Sequence, residues 1–160
     1  MDLRRPFIEE LERIAKKDER IVFITCDVGF SFLDPLKEIL GPRFLNLGIT
    51  EPHSVADAVG MSLEGMKPYV YSMIPFVLFR PFEVVRSLVA CGQTDVKLLG
   101  VSGSAAYAML GYSHNCLWEG EDIDRLKGLA IQPHVPKDEE EARRIARETY
   151  LSNFPTYVRL

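Results

Sequence analysis

Three short stretches carry residue types that could do chemistry. In Gly48-Ile49-Thr50-Glu51-Pro52 a carboxylate directly precedes a proline. Proline suits the first position of a helix, and its ring pushes the preceding residue toward extended backbone, so Glu51 is expected at a strand-to-helix junction. A carboxylate there can cap the helix or relay a proton in a ligand crevice, and spacing alone leaves both open. In residues 72–82, SMIPFVLFRPF, Phe76, Phe79 and Phe82 surround Arg80. Aromatics at i, i+3, i+6 fit a helix packed into a core, and they also fit a surface on which a flat ligand ring stacks. The third stretch is Gly111-Tyr112-Ser113-His114-Asn115-Cys116. A loop histidine at a ligand edge can serve as acid, base or hydrogen-bond donor.

Other chemistries find little support. His53, His114 and His134 are scattered, and Cys26, Cys91 and Cys116 show neither a Cys-x-x-Cys nor any metal-ligand spacing, so no zinc site is expected. Cys91, in VVRSLVAC, reads as a packed small hydrophobe, and Cys26 and Cys116 as structural thiols without a histidine at motif distance. The sequence has no G-x-S-x-G elbow, no G-x-x-x-x-G-K-[ST] loop and no G-x-G-x-x-G fingerprint.

The elements that must position these residues alternate along the chain. Short apolar runs rich in β-branched residues at 21–26, 43–48, 68–74, 96–102, 129–135 and 156–160 predict about six strands. Helical patterns fall at the amino end, where Phe7, Leu11 and Ile14 share a face, and at 33–40, 52–65, 76–92, 121–128 and 138–150. Strict strand-helix alternation predicts an α/β fold, an open, mainly parallel sheet with helices on both faces and right-handed crossovers, read as one domain over 1–160. Ligands in such sheets sit beyond the carboxyl ends of the strands. Glu51, the Phe76 to Arg80 segment and His114 each follow a strand and would meet there. The connection 102–121 is long and patternless, as functional loops often are.

Composition bounds the rest. The chain has 160 residues, 47% hydrophobic and 26% charged, with a formal net charge of −4. A domain of this size buries roughly 70% of its unfolded surface and needs no disulfide or metal to hold a core. Three cysteines, an odd number, speak against a secreted disulfide framework. The charged opening, MDLRRPFIEELERIAKKDER, reads as neither signal peptide nor membrane span, so a cytoplasmic location is expected. The acidic balance argues against nucleic acid or membrane as the main partner.

Taken in order, RIVFITCDVG, PRFLNLGITEPHSVADAVGMSLEGMKPYVYSM, PFVLFRPFEVVR, VKLLGVSG, GYSHN and ED resemble the pyrimidine-binding domain of transketolase-like thiamine diphosphate enzymes, from about residue 20 to the end. The most specific part is the strand followed by R-F-x-N-x-G-I-x-E, a small-residue helix ending G-x-K-P, and F-x-x-F-R. The resemblance implies that Glu51 hydrogen-bonds the aminopyrimidine ring as a proton relay. Phe76, with Phe79 as the alternative, would stack on that ring. Tyr71, Arg80 and His114 would face the substrate.

The resemblance also implies thiamine diphosphate as cofactor, with Mg2+ held by a partner, because no Gly-Asp-Gly diphosphate segment occurs in the chain. The implied assembly is a heterotetramer with a separate diphosphate-binding subunit, transferring a two-carbon ketol unit. A split 2-oxo acid decarboxylase or dehydrogenase subunit, and a non-catalytic scaffold that kept the fold, are the alternatives. One departure bears on substrate: relatives carry E-D-G-x-[ST]-H before the loop histidine, whereas Met109-Leu110-Gly111-Tyr112-Ser113-His114 stands here, with Leu110 in place of the acid.

Overall fold

The computed structural model describes residues 2–101 and 107–160. Six strands form one sheet: β1 (Ile21–Thr25), β2 (Phe44–Asn46), β3 (Lys67–Met73), β4 (Lys97–Val101), β5 (Gln132–His134) and β6 (Thr156–Arg159). Their order is β2-β1-β3-β4-β6-β5, and every neighbouring pair is parallel. The chain steps from β1 outward to β2 and then back past β1 to β3, so the winding reverses between β1 and β3. A crevice opens at such a reversal, beyond the carboxyl ends of the two strands.

Strand alternation divides the core in two. Phe23, Tyr69, Tyr71, Leu99, Val101 and Val158 face the layer of α1 (Arg4–Ala15), α2 (Asp34–Leu40) and α6 (Glu139–Leu151). Val22, Ile24, Val70, Leu98 and Tyr157 face the opposite layer, built from α3 (Glu51–Leu63), residues 75–90 and α5 (Glu121–Leu126). Because β1, β3 and β4 are covered on both sides, their sequences are apolar without polar alternation. The edge strands β2 and β5 are shorter than the runs 43–48 and 129–135 suggest. Pro133 has no N–H for a ladder and is tolerated because β5 is an edge.

The helix expected over 76–92 is instead broken. Pro75–Phe79 and Val85–Ala90 are π-helical, separated by the single turn α4 (Phe82–Val84). Pro81 supplies no N–H to a continuous helix, and the wider turns close by five-residue bonds, Arg80 N–H to Pro75 O at 2.9 Å and Cys91 N–H to Arg86 O at 3.0 Å. Such turns recur at functional sites because they re-aim side chains. At the start of α6 Asp138 is the cap, accepting from Glu141 N–H at 2.8 Å.

Candidate active site at the β1–β3 crevice

Two loops meet at the reversal point, and Asn46 ties them together. Its side-chain oxygen accepts from Asp27 N–H at 3.0 Å and Gly48 N–H at 3.1 Å, so the turn after β1 and the turn after β2 share one anchor. Asp27 (φ 55°) and Gly48 (φ 71°) adopt left-handed backbone, which glycine and the short polar aspartate tolerate best. Thr50 and Pro52 then start α3, and Glu51 stands in its first turn with 1% of its surface exposed.

Glu51 faces a cavity of about 330 Å³ lined by Cys26, Asp27, Val28, Ile49, Ser72, Met73, Phe76, Arg80 and His114 together with Glu51 itself. Arg80 Nη1 donates to Glu51 Oε2 at 2.7 Å, and the Arg80 guanidinium lies 4.0 Å above the Phe76 ring. The His114 ring meets Phe76 edge-on, with centroids 4.9 Å apart. Among the described residues, Ser72 Oγ is buried without a hydrogen-bond partner. Buried hydroxyls are nearly always satisfied, so an orphan in a cavity wall marks a place where a ligand's polar edge fits. The Cys26 thiol donates to Ser54 Oγ at 3.4 Å. Burial pushes that thiol up to about 11, the neighbouring Glu51 adds to the shift, and the Ser54 contact opposes it. It is therefore a protonated wall group, not a nucleophile.

His114 is carried by a loop fixed from below. Asn115 Nδ2 donates to Tyr107 O at 2.8 Å and to Gly111 O at 2.7 Å. Glu121 accepts from Leu117 N–H at 2.7 Å. Asp122, fully buried, accepts from Tyr157 Oη at 2.6 Å and from Arg159 Nη2 and Nε at 2.6 and 2.9 Å, which fastens the start of α5 to β6. Residues 102–106, at the front of this connection and at the end of the run 96–102, lie outside the described residues.

The structure brings Glu51, Phe76, Arg80 and His114 to one cavity, as their positions after strands imply. Phe79 lies outside it and lines an adjoining cavity of about 370 Å³ with Pro75, Tyr112, Ser113, Asn115, Leu117 and Glu121; Phe76 and Arg80 border both. Tyr71 does not line the Glu51 cavity. It is fully buried on the opposite face of the sheet, tilted against Phe23 at 5.7 Å, because residues alternate along β3 and it is Ser72 that faces the crevice. Burial pushes the Tyr71 phenol up, with Arg4 opposing. Leu110 is half exposed and borders neither cavity. Ser72 is the residue that no motif reveals, whereas Asn46 is the N of R-F-x-N-x-G-I-x-E without a role read from it. A lone serine inside the apolar run PYVYSMI, one residue out of phase with Tyr71, is the signal that could have found the first.

Residues 1–160 match the family described as the transketolase pyrimidine-binding domain. The chain belongs to this family. As a transketolase pyrimidine-binding domain it is similar to an apulose-4-phosphate transketolase subunit of Phocaeicola vulgatus, at 31% identity over 158 residues, 98% of this chain and 50% of that protein. The 1-deoxy-D-xylulose-5-phosphate synthase of Listeria monocytogenes is 30% identical over 146 residues, 90% of the chain and 23% of the synthase. Among solved structures, a split-gene transketolase in an inactive beta4 tetramer superposes with a TM-score of 0.84 at 26% identity, over 99% of this chain and 50% of that one. A Campylobacter jejuni transketolase superposes at 0.80 and 17% identity, over 93% and 24%, and so shares the fold. The chain spans at most half the length of these relatives. Among the described residues no cluster of three or more His, Cys, Asp or Glu side chains could hold a metal ion, and no helix is long and apolar enough to cross a membrane.

Proposed function

We propose that this chain supplies the pyrimidine-binding half of a split, transketolase-like enzyme that transfers a two-carbon ketol unit with thiamine diphosphate. The observation that carries the reading is Glu51. It is a carboxylate almost wholly removed from water at the winding reversal of a parallel sheet, beside an aromatic face and an orphan hydroxyl in a cavity of about 330 Å³. That volume sits at the small end of ligand pockets, the size range of one ring and its substituents. The donor set fits an aminopyrimidine: a carboxyl for a ring nitrogen, Phe76 for the ring face and Ser72 Oγ for the polar rim. When bound, thiamine diphosphate supplies the carbon nucleophile that carries the transferred unit.

The chain's own residues then divide the work. Glu51, held on the rigid start of α3, keeps a proton exchangeable with the ring nitrogen in a place water reaches poorly. Phe76 fixes the plane of the ring. His114, on its anchored loop, presents an imidazole to substrate oxygens, and Ser113 Oγ lies 2.9 Å from its Nδ1 and orients it. Arg80 and Phe79 border the adjoining cavity and are assigned to the substrate side.

Diphosphate and Mg2+ are assigned to a separate subunit in a hetero-oligomer, a heterotetramer by analogy with symmetric assemblies of two chain types, in the cytoplasm. Relatives described as a transketolase subunit or as a split-gene transketolase support this division. The test is capture of the tagged chain from its native lysate with thiamine diphosphate and magnesium present, followed by assay of ketol transfer in the purified complex. A stoichiometric companion with a Gly-Asp-Gly segment and turnover dependent on Glu51 is the expected result. A chain that gains no companion and binds no cofactor overturns the reading.

A further inference from the structure

We propose that Arg80 is an internal ligand of the ring subsite: its guanidinium occupies, in the unliganded chain, the position that the incoming ring must take, so that the two compete. This rests on the assignment of the Glu51 cavity to an aminopyrimidine. A guanidinium and an aminopyrimidine share two features, a flat delocalised system and N–H donors in its plane, while the pyrimidine's ring nitrogens also accept, which a guanidinium cannot. Arg80 uses both of its features at once. One nitrogen donates to Glu51 Oε2 at 2.7 Å, and the guanidinium carbon lies 4.0 Å from the centre of the Phe76 ring. Glu51 is the carboxyl in the cavity and Phe76 the aromatic ring beside it, set nearly perpendicular to the His114 ring at 4.9 Å. A ring that stacks on Phe76 and reaches Glu51 must displace the guanidinium.

The displaced side chain has somewhere to go without backbone movement. Arg80 borders the adjoining cavity of about 370 Å³ as well, and its side chain is 38% exposed, so rotation about its own torsions takes it from one space to the other. Its backbone stays put, closed by the bond from Arg80 N–H to Pro75 O. Apparent affinity for the ring is then the intrinsic affinity multiplied by the fraction of molecules in which Arg80 has withdrawn. The same logic assigns a ligand class to the subsite: small planar amidinium and guanidinium cations should enter it once Arg80 is removed.

The experiment titrates the full chain, wild type and Arg80→Leu, with 4-amino-5-hydroxymethyl-2-methylpyrimidine by calorimetry. The expected result is about 5- to 10-fold tighter binding in the variant, equivalent to about 1–1.4 kcal/mol. Guanidinium at non-denaturing concentration should weaken that gain, while the same concentration of sodium chloride leaves it intact. Equal or weaker binding by a folded Arg80→Leu overturns the proposal, since Arg80 would then assist the ring. Should that variant fail to fold, the wild type decides: the side-chain 15N resonance of Arg80, shifted by the Phe76 ring current, must move toward its free position as the probe binds. Probe binding with that resonance unmoved overturns the competition and leaves the cofactor assignment standing. A wild type and variant that both bind no probe, with or without the companion subunit, overturn both.

Discussion

The two ends of the sheet each bury charge, and they do it in opposite ways. At the amino ends of β3 and β4, Lys67 and Lys97 share Asp95. Lys67 Nζ also donates to Ser152 O and Asn153 Oδ1 at 3.2 Å, and Lys97 Nζ to Ser152 O at 3.2 Å and Phe154 O at 2.8 Å. Each ammonium has three acceptors, its full donor capacity, so nothing is left for a ligand. Burial holds Lys97 below the usual lysine range, with Asp95 opposing. At the carboxyl ends, among the described residues, Glu51 has one cation, Ser72 has no partner, and both line one cavity. Thr156 Oγ1, at the amino end, is also unpartnered, but Thr156 borders neither cavity next to Phe76. A buried charge whose contacts are complete locks strands and the turn between α6 and β6 together. One left incomplete beside a cavity is placed to meet something else.

Substitutions can break or sharpen this contrast. The largest expected effect is Glu51→Gln, which should lower ketol transfer by the reconstituted complex by about 10²- to 10⁴-fold, the usual span for a lost acid-base group. Thermal unfolding of the chain should move far less than activity does. Turnover within a few-fold of wild type would place Glu51 with the structural charges. Asp95→Ala should show the reverse. Two buried ammoniums without their carboxylate cost roughly 3–5 kcal/mol, and at 2–4 °C per kcal/mol the melting temperature should fall by roughly 10 °C. Cofactor affinity of the folded fraction should stay the same, and a selective loss of affinity would erase the distinction between the two ends.

Ser72→Ala should weaken pyrimidine binding by about 3- to 10-fold, the worth of about one hydrogen bond, while leaving stability level or slightly raised because an orphan polar atom is removed. A drop in stability with affinity intact would make Ser72 a core residue. The smallest effect concerns the thiols. Cys26 and Cys116 are both pushed up to about 11 by burial, above the ordinary thiol value, so the native state retains protons that the unfolded state releases. Their contribution to stability is complete below the ordinary thiol pKa and is lost as pH rises toward about 11. Denaturant titrations across that window should show stability falling, and less so in Cys26→Ala. Cys91, expected to be packed, is instead exposed, so alkylation near pH 8 should reach it first, and fast modification of Cys26 would count against a sealed cavity wall.

Much of this was legible in the sequence because it depends on local pattern. The β-branched runs specify strands buried on both faces, the strict alternation specifies a parallel sheet, and Glu51-Pro52 specifies a carboxylate at a strand-to-helix junction. The order of motifs along the chain was enough to identify the family. What the sequence could not specify depends on which face of which element meets which neighbour. Tyr71 and Ser72 differ by one position and so by one side of the sheet, and only the packing of α1 and α2 against one face and α3 against the other decided that Tyr71 is core and Ser72 is cavity wall. The helical pattern over 76–92 concealed two π turns, because Pro81 and tertiary packing set the helical bonding there rather than periodicity. Those turns placed Phe76 in the crevice and Phe79 beside it, and they carried Arg80 onto Glu51, a contact between residues 29 positions apart that no spacing rule encodes. Sequence determined which groups stand at the carboxyl edge, since strand ends are local. Tertiary structure decided which of them touch, since contact across a sheet depends on winding order and the turn of each helix.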